Sequence, residues 1–303
     1  MKSARNDASA TSVDSQHPQP SVWRSINPAM ARDLTDARQQ FHQAVQFAAS
    51  TAISYLVARP DDSHTNLGWV KQIHALASRE IPSAKNFRVG ITTPDLALVL
   101  VDPSGAVSSR LPLNGRIVDE GEAWLRLQLS ALGADGNRLS FARHYTIPPH
   151  PVAAGAPFSS GGTKQLAEIC AWFSNSAVLL EEIAASTPGA SPVRCWPHHF
   201  DMATLVEGGH GSAIRTMGIG LEPGDEYYEE PYLYVNMYPA PAATTLIVPL
   251  AGGGTWHTRD WVGAVLPGSR LVENPADQEQ EVRVFLKSAR AACRMIGETG
   301  GPQ

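Results

Sequence analysis

The chain has 303 residues, 43% hydrophobic and 17% charged, enough apolar material for one large core or two small ones. A net charge of −5 with no Lys/Arg cluster argues against a nucleic-acid partner, and no apolar run approaches the roughly 20 residues that cross a bilayer. The opening MKSARNDASATSVDSQHPQP lacks an apolar h-region, so the expectation is a cytoplasmic protein with no membrane partner.

Residues 1–28, rich in Ser, Ala, Asp, Gln and Pro without periodicity, are expected to form a disordered tail ahead of one α+β domain over 29–298. From Ala31 to Val57 the residues Leu34, Phe41, Val45, Ala48, Ala52 and Leu56 recur at helical steps. A second helix is expected around Leu67–Arg79. Strands follow at 87–91 and 96–101. The turn sequence DPSG then returns the chain into a hairpin strand, AVSSRL. A helix opening at Val118 or Asp119 carries Leu125, Leu129 and Leu132 and closes at Gly133; residues 138–147 alternate as a strand would.

PPHPVAAGAPFSSGG (148–162) has the composition of a linker, which could divide two subdomains or lie over the surface of one. The clearest helix follows, with Leu166, Ile169, Cys170, Phe173, Ala177, Leu180 and Ala184 on one face and Pro188-Gly189 ending it. Strand-like runs come next: VRCW, MATLV, AIRTMGIGL, YLYVNMY, TLIVPL and GAVLP. A last helix places Val282, Phe285, Leu286, Ala289, Cys293 and Ile296 together. Strand and helix runs are segregated, which predicts α+β with a mixed, mainly antiparallel sheet flanked by helices. Three cysteines without CxxC spacing indicate neither a disulfide framework nor a zinc ribbon.

RCWPHHFD (194–201) is the densest set of chemical groups. Taken as a strand interrupted at Pro197, it points His199 and Asp201 to one face and His198 and Phe200 to the other. An HxD pair with a distant histidine is the donor set of a facial triad, and His257 in GGGTWHTRDW supplies that third ligand; Arg270 follows. The order resembles iron- and 2-oxoglutarate-dependent oxygenases, in which the Arg holds the co-substrate carboxylate; the Ser or Thr two positions after that Arg is missing here. On this reading His199, Asp201 and His257 bind Fe or Zn. The plainer reading makes Asp201 a turn residue and the histidines structural.

LEPGDEYYEEPY (221–232) carries Glu222, Asp225, Glu226, Glu229 and Glu230 with no base. Converging carboxylates raise one another's pKa, which suits acid catalysis or cation binding; a solvated turn is the plainer alternative. No Walker loop, GxGxxG or GxSxG is present.

Four stretches together resemble a bacterial family of uncharacterised proteins known only as a domain of unknown function: RLPLNGRIVDEGEAWLRLQLSALG, SPVRCWPHHFDMATL, LEPGDEYYEEPYLYVNMYPAP and GAVLPGSRLVENPADQEQEVRVFLKSAR. The resemblance implies a single α+β unit and no activity. It also implies that Asp201 is a shared structural or pocket residue, since many relatives carry Gly-Ser in place of His198-His199. Three functions follow as expectations. One is a small-molecule-binding protein with a pocket of Trp196, His198, His199, Asp201, Tyr232 and Trp256. The others are a metal-dependent enzyme and a non-catalytic interaction module.

Overall fold

Hydrophobic periodicity and strand pairing divide the chain into two successive halves with the same order of elements. The structure, a computed structural model, describes residues 23–208 and 214–299. In the first half, helix α1 (Thr35–Tyr55) precedes strands β1 (Gly68–Val70), β2 (Ala75–Ala77), β3 (Arg88–Thr92), β4 (Ala97–Val101) and β5 (Val107–Pro112), and helix α2 (Val118–Ala131) ends it. In the second, helix α3 (Thr163–Ser186) precedes β6 (Arg194–Cys195), β7 (Met202–Glu207), β8 (Thr216–Glu222), β9 (Tyr232–Tyr238), β10 (Thr255–His257) and β11 (Gly263–Pro267), with helix α4 (Pro275–Thr299) last.

Each half forms its own antiparallel sheet, ordered β1-β2-β3-β4-β5 and β10-β11-β9-β8-β7-β6. Leu67 and Cys195 exchange backbone hydrogen bonds of 2.8 Å in both directions, an antiparallel bridge that stitches β1 to β6. The fold is therefore α+β, and one apolar core runs through both halves from Phe41 and Leu98 to Val235 and Phe285. Among the described residues no helix is long and apolar enough to cross a membrane.

Several expectations change. The helix expected over Leu67–Arg79 is the hairpin β1–β2, because pairing with β3 and with Cys195 satisfies its backbone better than an isolated turn of helix. Residues 138–147 and 245–250 form no strand, and the short β10 was missed. The expected tail divides: residues 1–22 lie outside the described residues, while the start of the described chain is pinned. Ile26 is buried, its N–H donates to Gln278 Oε1 (3.0 Å), and Arg24 N–H donates to Asn175 Oδ1 (2.8 Å). The 148–162 stretch is a strap across α1. Gln43 Nε2 donates to Pro148 O, Ser159 N–H donates to Gln40 Oε1, and Val152 and Phe158 are buried.

The RCWPHHFD segment is the tip of the β6–β7 hairpin. Trp196 N–H donates to Asp201 O (2.9 Å) and Phe200 N–H to Trp196 O (2.6 Å). Phe200 closes the loop in the left-handed region, at φ +74°, which a non-glycine residue enters at a cost. Burial offsets it. Its ring lies parallel to His42 at 4.5 Å and meets Phe41 and Phe173 at 5.3 and 5.6 Å. Phe200→Ala is expected to lower unfolding stability by about 3–5 kcal/mol, read as a lower urea midpoint.

Candidate functional site

Helix α1 buries a second, polar stripe beside its apolar one. Arg38, His42 and Gln46 follow at i, i+4 and i+8 and are at most 8% exposed. The stripe grips the hairpin tip. His42 Nε2–H donates to Pro197 O (2.8 Å), and Gln46 Nε2 donates to the same oxygen (2.9 Å) while its Oε1 accepts from Tyr145 OH. Because a carbonyl only accepts, Nε2 of His42 carries the proton.

Above this clamp lies a cavity of about 760 Å³. Its walls come from the first turns of α1, residues 146–149, the hairpin tip and the loop after β8. The register of β7 with β8 (Met202 opposite Leu221), continued one step, sets Asp201 beside Glu222; Glu222 pairs in turn with Tyr232. Two positions inward, Tyr234 lies across Gly220, where a Cβ would come within 2.7 Å of its ring and hydroxyl. The phenol thereby reaches Asp201 and donates to Oδ2 at 2.6 Å.

Four buried polar atoms here have no hydrogen-bonding partner: Arg38 Nη1, His198 Nδ1, Asp201 Oδ1 and Glu222 Oε1. Burial pushes the Glu222 carboxyl well above its ordinary value, and Asp201 and Asp225 push the same way against Arg38. Burial likewise raises Asp201, opposed by the Tyr234 hydroxyl and by His199. Burial holds the His42 imidazole down to about 4, against its bond to Pro197 and with Arg38 adding to the effect. His198 is lowered by burial and by His199.

The expected residues fall in different places. His198 and His199 both line the cavity, with rings 4.4 Å apart, because the turn breaks the alternation expected of a strand. Asp201 lies beside Glu222. Trp196 packs edge-on to His198 at 5.9 Å and does not line the cavity. Tyr232 is buried on an aromatic face of the second sheet and donates to Asp225 Oδ2 (2.8 Å). Trp256 is on the opposite, core side and donates to Val248 O.

The metal triad is not assembled. His257 stacks on Trp261 at 4.3 Å, its Nε2–H donates to Arg259 O (2.6 Å) and its Nδ1 accepts from Tyr228 OH (3.0 Å). No lone pair is left for an ion. Among the described residues no three His, Cys, Asp or Glu side chains are grouped to hold one. Arg270 is exposed and takes no part in the cavity.

The five carboxylates after β8 separate by role. Asp225 Oδ1 accepts from the N–H groups of Tyr227 (2.8 Å) and Tyr228 (2.9 Å) and organises the turn. Glu230 accepts from Ser269 and Arg32 away from the cavity. Glu226 and Glu229 are exposed at the rim, and Glu222 alone is buried with a free oxygen. Arg38 and His42 were missed by the sequence reading. Their signal is the four-residue polar spacing 38-42-46 inside an amphipathic helix.

In comparisons with models of protein families, with curated proteins and with solved structures, the chain matches none. The family resemblance therefore rests on its quoted motifs alone.

Two buried groups impose opposite pH slopes. The unfolded chain protonates His42 near pH 6.5 and the fold refuses that proton until about pH 4. Its stabilisation is complete above 6.5 and falls with pH, by about 3 kcal/mol at most. The fold keeps Glu222 protonated after the unfolded chain has released that proton, so its contribution is complete at low pH and is lost as pH rises. Glu222→Gln is expected to raise the thermal midpoint by a few degrees at about pH 8 and to have little effect at about pH 4. His42→Gln should flatten the decline between pH 6.5 and about 4. Calorimetric melts across pH check both.

Proposed function

We propose that this chain binds a small polar molecule in the cavity between α1, the Trp196–Asp201 turn and the loop after β8. The observation that carries the reading is the grouping of unpartnered buried polar atoms, on Arg38, His198 and Glu222 of the cavity lining and on Asp201 beside Glu222. Buried polar groups in folded proteins are almost always hydrogen-bonded, and each one left unpaired costs about 1–3 kcal/mol. Four at one place are costly for the fold and useful to a ligand that completes them. The cavity, at about 760 Å³, is of the size that encloses a metabolite or cofactor fragment.

The other two expectations have less support. An oxygenase-like centre lacks its third ligand, and the large exposed apolar side chains, such as Val57, Leu127, Ile247 and Met295, are spread over separate elements. The three cysteines are free and buried, which supports a reducing compartment such as the cytoplasm as the place of action.

Gln39 lines the cavity from a half-buried position on α1, so a tryptophan there is expected to fill the cavity rather than the core. A ligand-observed NMR screen of mixed small polar metabolites is expected to give binders that Gln39→Trp abolishes without lowering the thermal midpoint. Binders that survive Gln39→Trp, or none in the whole screen, would refute the pocket.

A further inference from the structure

The charge of the cavity wall narrows the ligand. Glu222, Asp225, Glu226 and Glu229 line it against a single arginine, Arg38, and three histidines, His42, His198 and His199. His42 adds no positive charge near neutrality, since burial holds its imidazole down to about 4. An acidic cluster alone identifies nothing. Here, however, Glu222 is 7% exposed and lines the cavity, and its Oε1 has no donor. The neighbouring Asp201 Oδ1 also has no donor, although Asp201 does not itself line the cavity. In their carboxylate forms both lack a hydrogen-bond donor.

Arg38 completes the pattern from the other sign. Its guanidinium packs onto Gly224, where a Cβ would collide with it, so the left-handed Gly224 (φ +121°) keeps the arginine inside the acidic loop. Its free Nη1 needs an acceptor. The wall formed by Ile147, Pro148, Pro149 and Phe200 offers apolar surface to the body of a ligand.

Resting on the pocket reading above, we infer that the ligand is an organic cation: a primary ammonium or guanidinium group set against Glu222, with a carbonyl or hydroxyl oxygen close by for Arg38 and an apolar body. Its N–H groups supply the donor that Glu222 Oε1 lacks. Ion pairing requires the charged carboxylate, so a proton leaves the site as the cation enters.

A matched set of probes isolates charge from shape: phenylalanine amide (cation), N-acetylphenylalanine amide (neutral) and N-acetylphenylalanine (anion). Titration calorimetry on the full chain at near-neutral pH, in two buffers of different ionisation enthalpy, is expected to show phenylalanine amide binding at least about tenfold more tightly than the other two, with net proton release. Glu222→Gln should reduce that affinity about tenfold or more and abolish the proton release, while Gln39→Trp removes binding of every probe. Equal or tighter binding of the neutral or anionic probe, itself lost in Gln39→Trp, overturns the cation assignment and leaves the pocket reading standing. Binding of the cation that survives Gln39→Trp overturns both. If none of the three binds at millimolar concentration, the cation assignment fails, and the metabolite screen decides the pocket separately.

Discussion

The carbonyl oxygen of Pro197 accepts two hydrogen bonds from one helix, and the site depends on that grip. His42 and Gln46 hold it from successive turns of α1. Pro197 cannot answer with an N–H of its own, so the contact is one-sided and its direction is set by the helix. With the tip held there, Phe200 is driven under His42 into the core, and its left-handed backbone turns the next residue, Asp201, back toward Glu222. Loosening the grip would free the tip and Asp201 together.

The energetic character of the site follows from burying charge. A guanidinium, two carboxyls and two imidazoles are crowded where water is scarce, and desolvation is the leading cause of every shift among Arg38, His42, His198, Asp201 and Glu222. Burial favours the neutral form of each acid and each base, so the two kinds of group move in opposite directions. The Tyr234 hydroxyl donates to one Asp201 oxygen and leaves the other without a partner. A fold selected for stability alone would fill these places with apolar side chains of similar volume, which is often neutral or stabilising. The retained polar groups mark where stability has been given up.

Much of the fold is legible in the sequence, because it is carried by periodicity along single elements. The stripes of α3 and α4, the DPSG hairpin and the segregation of strands from helices all led to the α+β assignment. The Leu67–Arg79 segment went wrong because its three-residue strands are shorter than any period, and only pairing with β3 and Cys195 settles them. The site was legible in part. HHFD and the carboxylate run were singled out, and both border the cavity. The metal reading assumed that strand alternation resumes beyond Pro197, which a turn with a left-handed Phe200 forbids. His257 lies on the sheet whose strand β7 follows Asp201, but its two nitrogens are spent on Tyr228 and Arg259. No spacing rule reveals that.

What the sequence could not supply is the pairing of distant pieces, and the architecture explains why. Each half runs helix, antiparallel sheet, helix, and the two sheets meet at the Leu67–Cys195 bridge. The site takes Arg38, Gln39 and His42 from the helix of the first half, and the hairpin tip and acidic loop from the strands of the second. Residues 146–149, leading into the strap, close the remaining side. Neither half contains the site alone, so no contiguous motif encodes it. The apolar stripe of α1 is explained by the core of its own half, whereas the polar stripe beside it makes physical sense only against the other half. A buried polar row at four-residue spacing on an amphipathic helix is therefore the trace that such a shared site leaves in one dimension. Here it points across the seam to Pro197 and to the carboxyls beyond it.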